Sequence, residues 1–269
     1  MGAYLNSQTP YTLYQSESRS PYFVDKTMLL QELFPYVAAG NRHLCVTRPR
    51  RFGKTIAANM ISSFFQKGID SGELFDRLKI SEADDCQKYK NKYNVIRIDF
   101  SKMPRNCESY RQYIERVEEL LISDLREAYP DAKTSETDAI GDILEEIFQQ
   151  YHGVKIYFCS GRIGILVFHR GFITEADKAK YVAFLSNLLK DRPYVILSYM
   201  TGILPIAKYS SGSELNMFAE FTMVNSPMFG TYFGFTDDEV DDLYERYCRE
   251  CEKQRKIKNC DAKRSARLV

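Results

Sequence analysis

Gly53-Lys54-Thr55 follows a short turn that carries three arginines, Arg48, Arg50 and Arg51, and no acid. These residue types suit a phosphate chain. Backbone N–H groups of a tight turn and the positive end of a helix converge on phosphate oxygens. A lysine adds a mobile ammonium, and a threonine hydroxyl can hold Mg²⁺. The elements that must position them are legible on either side. Leu44-Cys45-Val46-Thr47 reads as a buried strand, and Ile56, Met60, Ile61, Phe64 and Phe65 recur at helical spacing. Strand, loop, Gly-Lys-Thr and helix together make the layout of a P-loop. One position departs from G-x-x-x-x-G-K-[ST], because the first glycine falls at Arg48. A residue with a Cβ resists positive φ, so this turn must begin differently from the common one. The expected cradle is Pro49, Arg50, Arg51, Phe52, Gly53, Lys54 and Thr55, with Lys54 on the β/γ-phosphates and Thr55 on the metal. The plain alternative is a chance Gly-Lys-Thr at a helix start. The flanking strand, the helical spacing and the lack of a nearby acid weigh against it.

The rest of the chain alternates helix and strand. Residues 1–21 are polar and read as an extended lead-in. Asp25 is placed to cap a helix that buries Met28, Leu29, Leu33 and Phe34, and Gly40 ends the connection before the first strand. Val95 to Phe100 is a second strand, apolar enough for an interior position. Two amphipathic helices follow, one burying Tyr110, Tyr113, Ile114, Val117, Leu120 and Leu121, the other Ile140, Ile143, Leu144, Ile147, Phe148 and Tyr151. Val154 to Cys159 is a third strand. A helix with Tyr181, Phe184, Leu185, Leu188 and Leu189 leads into a fourth, Tyr194 to Met200. This alternation predicts an α/β fold with a mostly parallel sheet covered on both faces.

Thr47-Arg48-Pro49-Arg50-Arg51-Phe52-Gly53-Lys54-Thr55 resembles the P-loop of the bacterial AAA-ATPase-like family, in which an arginine commonly replaces the first glycine. Four further blocks are similar to that family: Tyr22 to Thr27, Tyr199 to Ile206, Leu215 to Phe218 and Tyr232 to Val240. The resemblance covers about Tyr22 to Tyr247. It implies a three-layer P-loop NTPase domain over residues 22–247 that binds ATP and Mg²⁺. It also puts Thr201 where a sensor-like polar residue approaches the γ-phosphate, with a turn cap beside Gly202 as the equal alternative. Family members usually continue into a nuclease-like domain. The sequence ends before one, so no nuclease activity is expected to carry over.

The resemblance also implies an Asp-Glu pair after Lys155-Ile156-Tyr157-Phe158, one carboxylate for the metal and one to polarise water. The chain instead reads Cys159-Ser160-Gly161-Arg162-Ile163-Gly164, and no acid occurs from Phe148 through Thr174. Likeness resumes near Phe168-His169. Two explanations stand open: natural loss, or a local reading-frame slip. Asp99, Glu175 or Asp177 could substitute, though Asp99 is expected to be mainly structural. The expectation is a protein that binds nucleotide with weak or absent hydrolysis; the rival is a degenerate interaction module. Arg170 and Arg192 could act as cationic fingers but are expected at the surface, Asp142, Glu145 and Glu146 on a solvated helix face, and Lys208 to Ser213 in a flexible loop.

Composition is that of a globular protein: 269 residues, 44 % hydrophobic, 27 % charged, net charge +1. No apolar run reaches membrane-spanning length, and no secretory leader is seen. Seven scattered cysteines point to reduced thiols in the cytoplasm. Cys248 and Cys251 have zinc-ligand spacing but lack the remaining ligands. His43, His152 and His169 form no catalytic set. Residues 248–269 make a basic tail: eight cations from Arg249 to Arg267 face Glu250, Glu252 and Asp261. Such a tail can hold nucleic acid through phosphates, although a solvated terminus is the simpler reading. Homo-oligomerisation is common among such domains, but no residue here identifies it.

Overall fold

The computed structural model describes residues 2–101, 103–104, 106–161, 175–203, 216–223 and 228–265, with backbone alone for residues 160, 161, 175, 178 and 255–265. In chain order the elements are α1 (Thr9–Ser18), α2 (Leu29–Ala39), β1 (Arg42–Thr47), α3 (Lys54–Phe65), two single turns α4 (Gly72–Phe75) and α5 (Cys86–Tyr89), and β2 (Asn94–Asp99). There follow α6 (Tyr110–Ala128), α7 (Ile140–Gln150), β3 (Ile156–Gly161), α8 (Glu175–Leu189), β4 (Val195–Gly202), β5 (Ala219–Phe221) and α9 (Asp237–Ser265). The strands form one sheet in the order β2-β3-β4-β1-β5, with every pairing parallel.

Both faces of the sheet are apolar, as parallel strands require. On one face, Leu33 and Phe34 of α2 and Ile61, Phe64 and Phe65 of α3 pack with Val46, Tyr157, Leu197 and Tyr199. On the other, Ile114 and Leu121 of α6, Leu144 and Ile147 of α7, and Leu185 and Leu188 of α8 pack with Ile96, Ile98, Phe158 and Met200. The result is the three-layer α/β architecture expected of a P-loop NTPase. The carboxyl ends of β1, β4, β3 and β2 share one edge of the sheet. The start of α3 lies there, at the place where open α/β sheets bind ligands.

Four details differ from the sequence expectations. Residues 1–21 are not an extended lead-in. Thr9–Ser18 is a helix with proline in its first turn, and Tyr14 buries its ring 5.6 Å from Phe75. Few of its positions are buried, so it shows little amphipathic period. Second, β2 is an edge strand, not an interior one. It is nonetheless buried, because Leu5 bridges Ile96, Asn6 N–H donates to Val95, and Arg97 N–H donates to Tyr4. Third, Asp25 does not cap α2, which begins without a side-chain cap. Its carboxylate accepts instead from Thr27 N–H and hydroxyl and from Lys79 N–H. Finally, the backbone has no boundary at Cys248: α9 is continuous from Asp237 to Ser265. No helix among the described residues is long and apolar enough to cross a membrane.

Candidate functional site

β1 leaves the sheet at Thr47, and the chain reaches α3 within six residues. Arg48 is the reason this turn works without a first glycine. Its backbone N–H donates to Gly202 of β4 (3.1 Å). Its guanidinium turns inward, Nη1 donating to the carbonyls of Thr47 and Phe221 (2.8 Å each), and lies over the Phe233 ring at 5.2 Å. Only 2 % of the residue is exposed, and burial lowers its pKa against the opposing pull of Tyr199. Arg48 thus fastens β1 to β5. The left-handed conformations fall later, at Arg51 (φ 69°) and Gly53 (φ 74°). At Gly53 no atom crowds a would-be Cβ, so glycine is needed there for its backbone angle rather than for space.

α3 begins at Lys54 with no side-chain cap and no acid in its first turn. The helix dipole is therefore uncompensated at this end, and the first-turn N–H groups lack the side-chain acceptor that usually satisfies them. Lys54 is buried, its ammonium donating to the carbonyl of Arg48 (2.8 Å) and to that of Pro49. Pro49, Arg50, Arg51 and Gly53 are exposed; Phe52 and Thr55 are half-buried. Ile56, expected in the helix's buried set, is 38 % exposed, because it lines a cleft instead.

That cleft, of about 270 Å³, opens beside Gly53 and is walled by Tyr14, Tyr22, Phe23, Phe52, Tyr232 and Phe235. Sequence reasoning missed it. The loop and two of the blocks that carry the family resemblance meet around it. Lys26 pairs with Glu239 and donates to the carbonyl of Thr231. Arg246 donates to the carbonyl of Phe23 (3.0 Å). Thr236 and Glu239 form a reciprocal capping box at the start of α9. Burial works against the Glu239 charge, but Lys26 and the Thr236 N–H hold its carboxyl below the usual value. The φ of Gly234 is 76°, and a Cβ there would stand 3.2 Å from the Phe52 ring. The aromatic pairs around Tyr14 and Tyr22 and the Phe233-Gly234-Phe235 run were the available signals.

A second cleft, of about 240 Å³, lies on the opposite flank of α3, lined by Thr55, Asn59, Arg97, Asp99 and Tyr113 together with residues of the N-terminal segment. The Asp99 carboxylate accepts from Ser101 N–H and hydroxyl, shaping the exit from β2. Two residues before the end of β3, Cys159 stands in register between Arg97 and Tyr199. Its thiol is buried and donates to the Ala58 carbonyl; burial pushes its pKa up, against Arg97. No β3 carboxylate is found among the described residues. Thr201 is fully buried near the end of β4, paired with Val46 of β1, on the same sheet face as Tyr199.

The other chemistry-bearing residues lie away from the loop. Asp177 is close to Tyr110, under α6. Arg192 bonds Glu145 and the Asn187 carbonyl at the opposite edge of the sheet, which rules it out as a cation for this site. His43 is buried against Ser198 and Phe218, and burial lowers its pKa to about 4. Cys248 and Cys251 lie along α9, and the described residues hold no metal-binding cluster. Arg162 to Gly164, Phe168-His169, Arg170 and Lys208 to Ser213 lie outside the described residues, as does the Glu175 side chain.

An acid-free helix start, a bent loop and a neighbouring aromatic cleft fit a nucleoside triphosphate. For a metal, the Thr55 hydroxyl and the Asp99 carboxylate share a cleft with the side-chain oxygens of Ser7, Thr9 and Asn59. No curated protein sequence matches the chain. A family model described as AAA-ATPase-like, predicted AAA-ATPase, matches residues 14–211, and the chain therefore belongs to the AAA-ATPase-like family.

Proposed function

We propose that this chain binds Mg-ATP at the 48–55 turn and turns it over weakly or not at all. The observation that supports binding is the start of α3: uncapped, free of acid in its first turn, and entered through a left-handed Gly53. Lys54 lies across the loop carbonyls and would leave them for the β/γ-phosphates. Thr55 would hold the metal, which when bound supplies charge neutralisation between phosphates. The base would enter the aromatic cleft, with Phe52 and Phe235 against its faces.

Turnover is the weaker half because Cys159 stands where a carboxylate would be needed. Losing the group that polarises water removes on the order of 10²–10⁴ in rate. Binding does not depend on that strand end. Mg-ATP at 100 times its Kd should stabilise the folded chain by about 2.7 kcal/mol, and Lys54→Ala should remove most of that shift. No shift at saturating Mg-ATP would leave the interaction-module reading in its place. Steady Mg-dependent ATP hydrolysis, abolished by Lys54→Ala, would show that turnover survives.

A further inference from the structure

The cleft on the Thr55 flank has a cationic floor that the 48–55 turn does not explain. Arg97 of β2 is 8 % exposed. Its Nη1 donates to the carbonyl of Ile98 (2.8 Å), while its Nε has no partner among the described residues. A buried guanidinium with an unused donor is costly unless an anion faces it. Its in-register neighbour on β3 is Cys159, which is uncharged as a thiol and already donates to Ala58. Asp99 shares the cleft but directs one carboxylate oxygen to Ser101. The guanidinium therefore lies at the floor of the cleft with donor capacity that no described residue takes up.

The two clefts divide α3 between them. Gly53, Ile56 and Ala57 line the aromatic one, whereas Thr55 and Asn59 line the one floored by Arg97. A triphosphate whose base sits in the first and whose chain crosses the start of α3 arrives at the second with its terminal phosphate. We propose that Arg97 binds the γ-phosphate, as a second cation placed across from Lys54. This rests on the reading of the turn as a triphosphate site. It makes Arg97 a residue that distinguishes ATP from ADP, because a diphosphate does not extend to it.

The test compares Mg-ATP and Mg-ADP affinities in the wild-type chain and two variants. Arg97→Gln should weaken ATP on the order of 10- to 100-fold, the usual worth of a charge-assisted hydrogen bond, and leave ADP unchanged. Thr9→Glu sets a competing carboxylate on the exposed wall of the same cleft, at the first residue of α1, where an acid suits the helix. It should weaken ATP several-fold, again sparing ADP, and it remains informative should Arg97→Gln fail to fold. An ATP-to-ADP ratio unchanged in the folded variants, or equal losses for both nucleotides, would overturn the assignment. If the wild-type chain binds neither nucleotide, the triphosphate reading itself falls and takes Arg97 with it. ADP binding with a normal ATP preference in Arg97→Gln removes Arg97 alone.

Discussion

The two flanks of the first turn of α3 are built in opposite ways. The aromatic flank is made of large rings whose walls are tied together by the Lys26–Glu239 pair, the Arg246 bond to Phe23 and the contact of Phe52 with Gly234. The Arg97 flank is made of strand ends and a short N-terminal segment, with a buried cation and no carboxylate from β3 among the described residues. On the proposed reading, the difference separates grip from turnover. Tyr14, Phe23, Phe52 and Tyr232 are buried or half-buried, so packing alone retains them. A carboxylate at a strand end contributes little to packing, and Cys159 fills that position with a satisfied thiol. On the proposed reading, the half that receives the base can stay intact while the half that polarises water decays.

The sharpest way to break this comparison is to remove the wall of the Arg97 flank. Asp124 of α6 accepts hydrogen bonds from the N–H groups of Ala3 (2.8 Å), Tyr4 (2.7 Å) and Leu5 (3.0 Å). It thereby holds the segment that seals the edge of β2. Gly2 lies so close that a Cβ there would overlap the carboxylate. Asp124→Ala leaves three amides without their acceptor and should cost about 3 kcal/mol, allowing for partial recovery by water. It should also expose an edge strand to self-pairing. Urea unfolding measures the first and light scattering the second. A cost below about 1 kcal/mol would mean that the segment is held by its strand pairing alone.

That wall also marks the limit of what the sequence discloses. The turn, its strand and its helix were legible because they are contiguous: Leu44 to Phe65 carries a strand, a bend and a helical period in one stretch. The four main strands could be read for the same reason. The sealing of β2 by Leu5, Asn6 and Tyr4 could not, because nothing in Val95 to Phe100 reveals which segment will cover its edge. α1 was missed since only Pro10 and Tyr14 are buried in it, too few to set up a period. The aromatic cleft gathers Tyr14, Phe23, Phe52 and Phe235, and adjacency of that kind belongs to tertiary structure. Arg97 looked like one more residue of an apolar strand; its isolation is visible only in register with Cys159.

A smaller effect tests the aromatic flank. Phe235 is 62 % exposed, so Phe235→Ala should change stability by no more than about 0.5 kcal/mol. If its ring covers the base, ATP and ADP should weaken together by roughly 5- to 10-fold, the worth of one stacked pair. The contrast with Arg97→Gln is the informative part: one variant lowers both affinities and the other only that for ATP. Isothermal titration of the two nucleotides separates them. Unchanged affinities in Phe235→Ala would place the base elsewhere.

The smallest expected effect concerns the tie between the walls of the aromatic flank. Glu239 meets Lys26 and caps its own helix, but both side chains are partly open to water, so screening limits the pair. Glu239→Gln should cost less than about 1 kcal/mol at pH 7. Because the folded carboxyl is held below its usual value, its stabilisation is complete above the unfolded glutamate pKa and disappears as pH falls through the folded one. The wild-type chain and the Glu239→Gln variant should thus differ in urea midpoint at pH 7 and converge as pH falls below the folded carboxyl's own pKa. A gap that persists in acid would trace the loss to hydrogen-bond geometry at the cap, since an amide keeps the acceptor oxygen and loses only the charge.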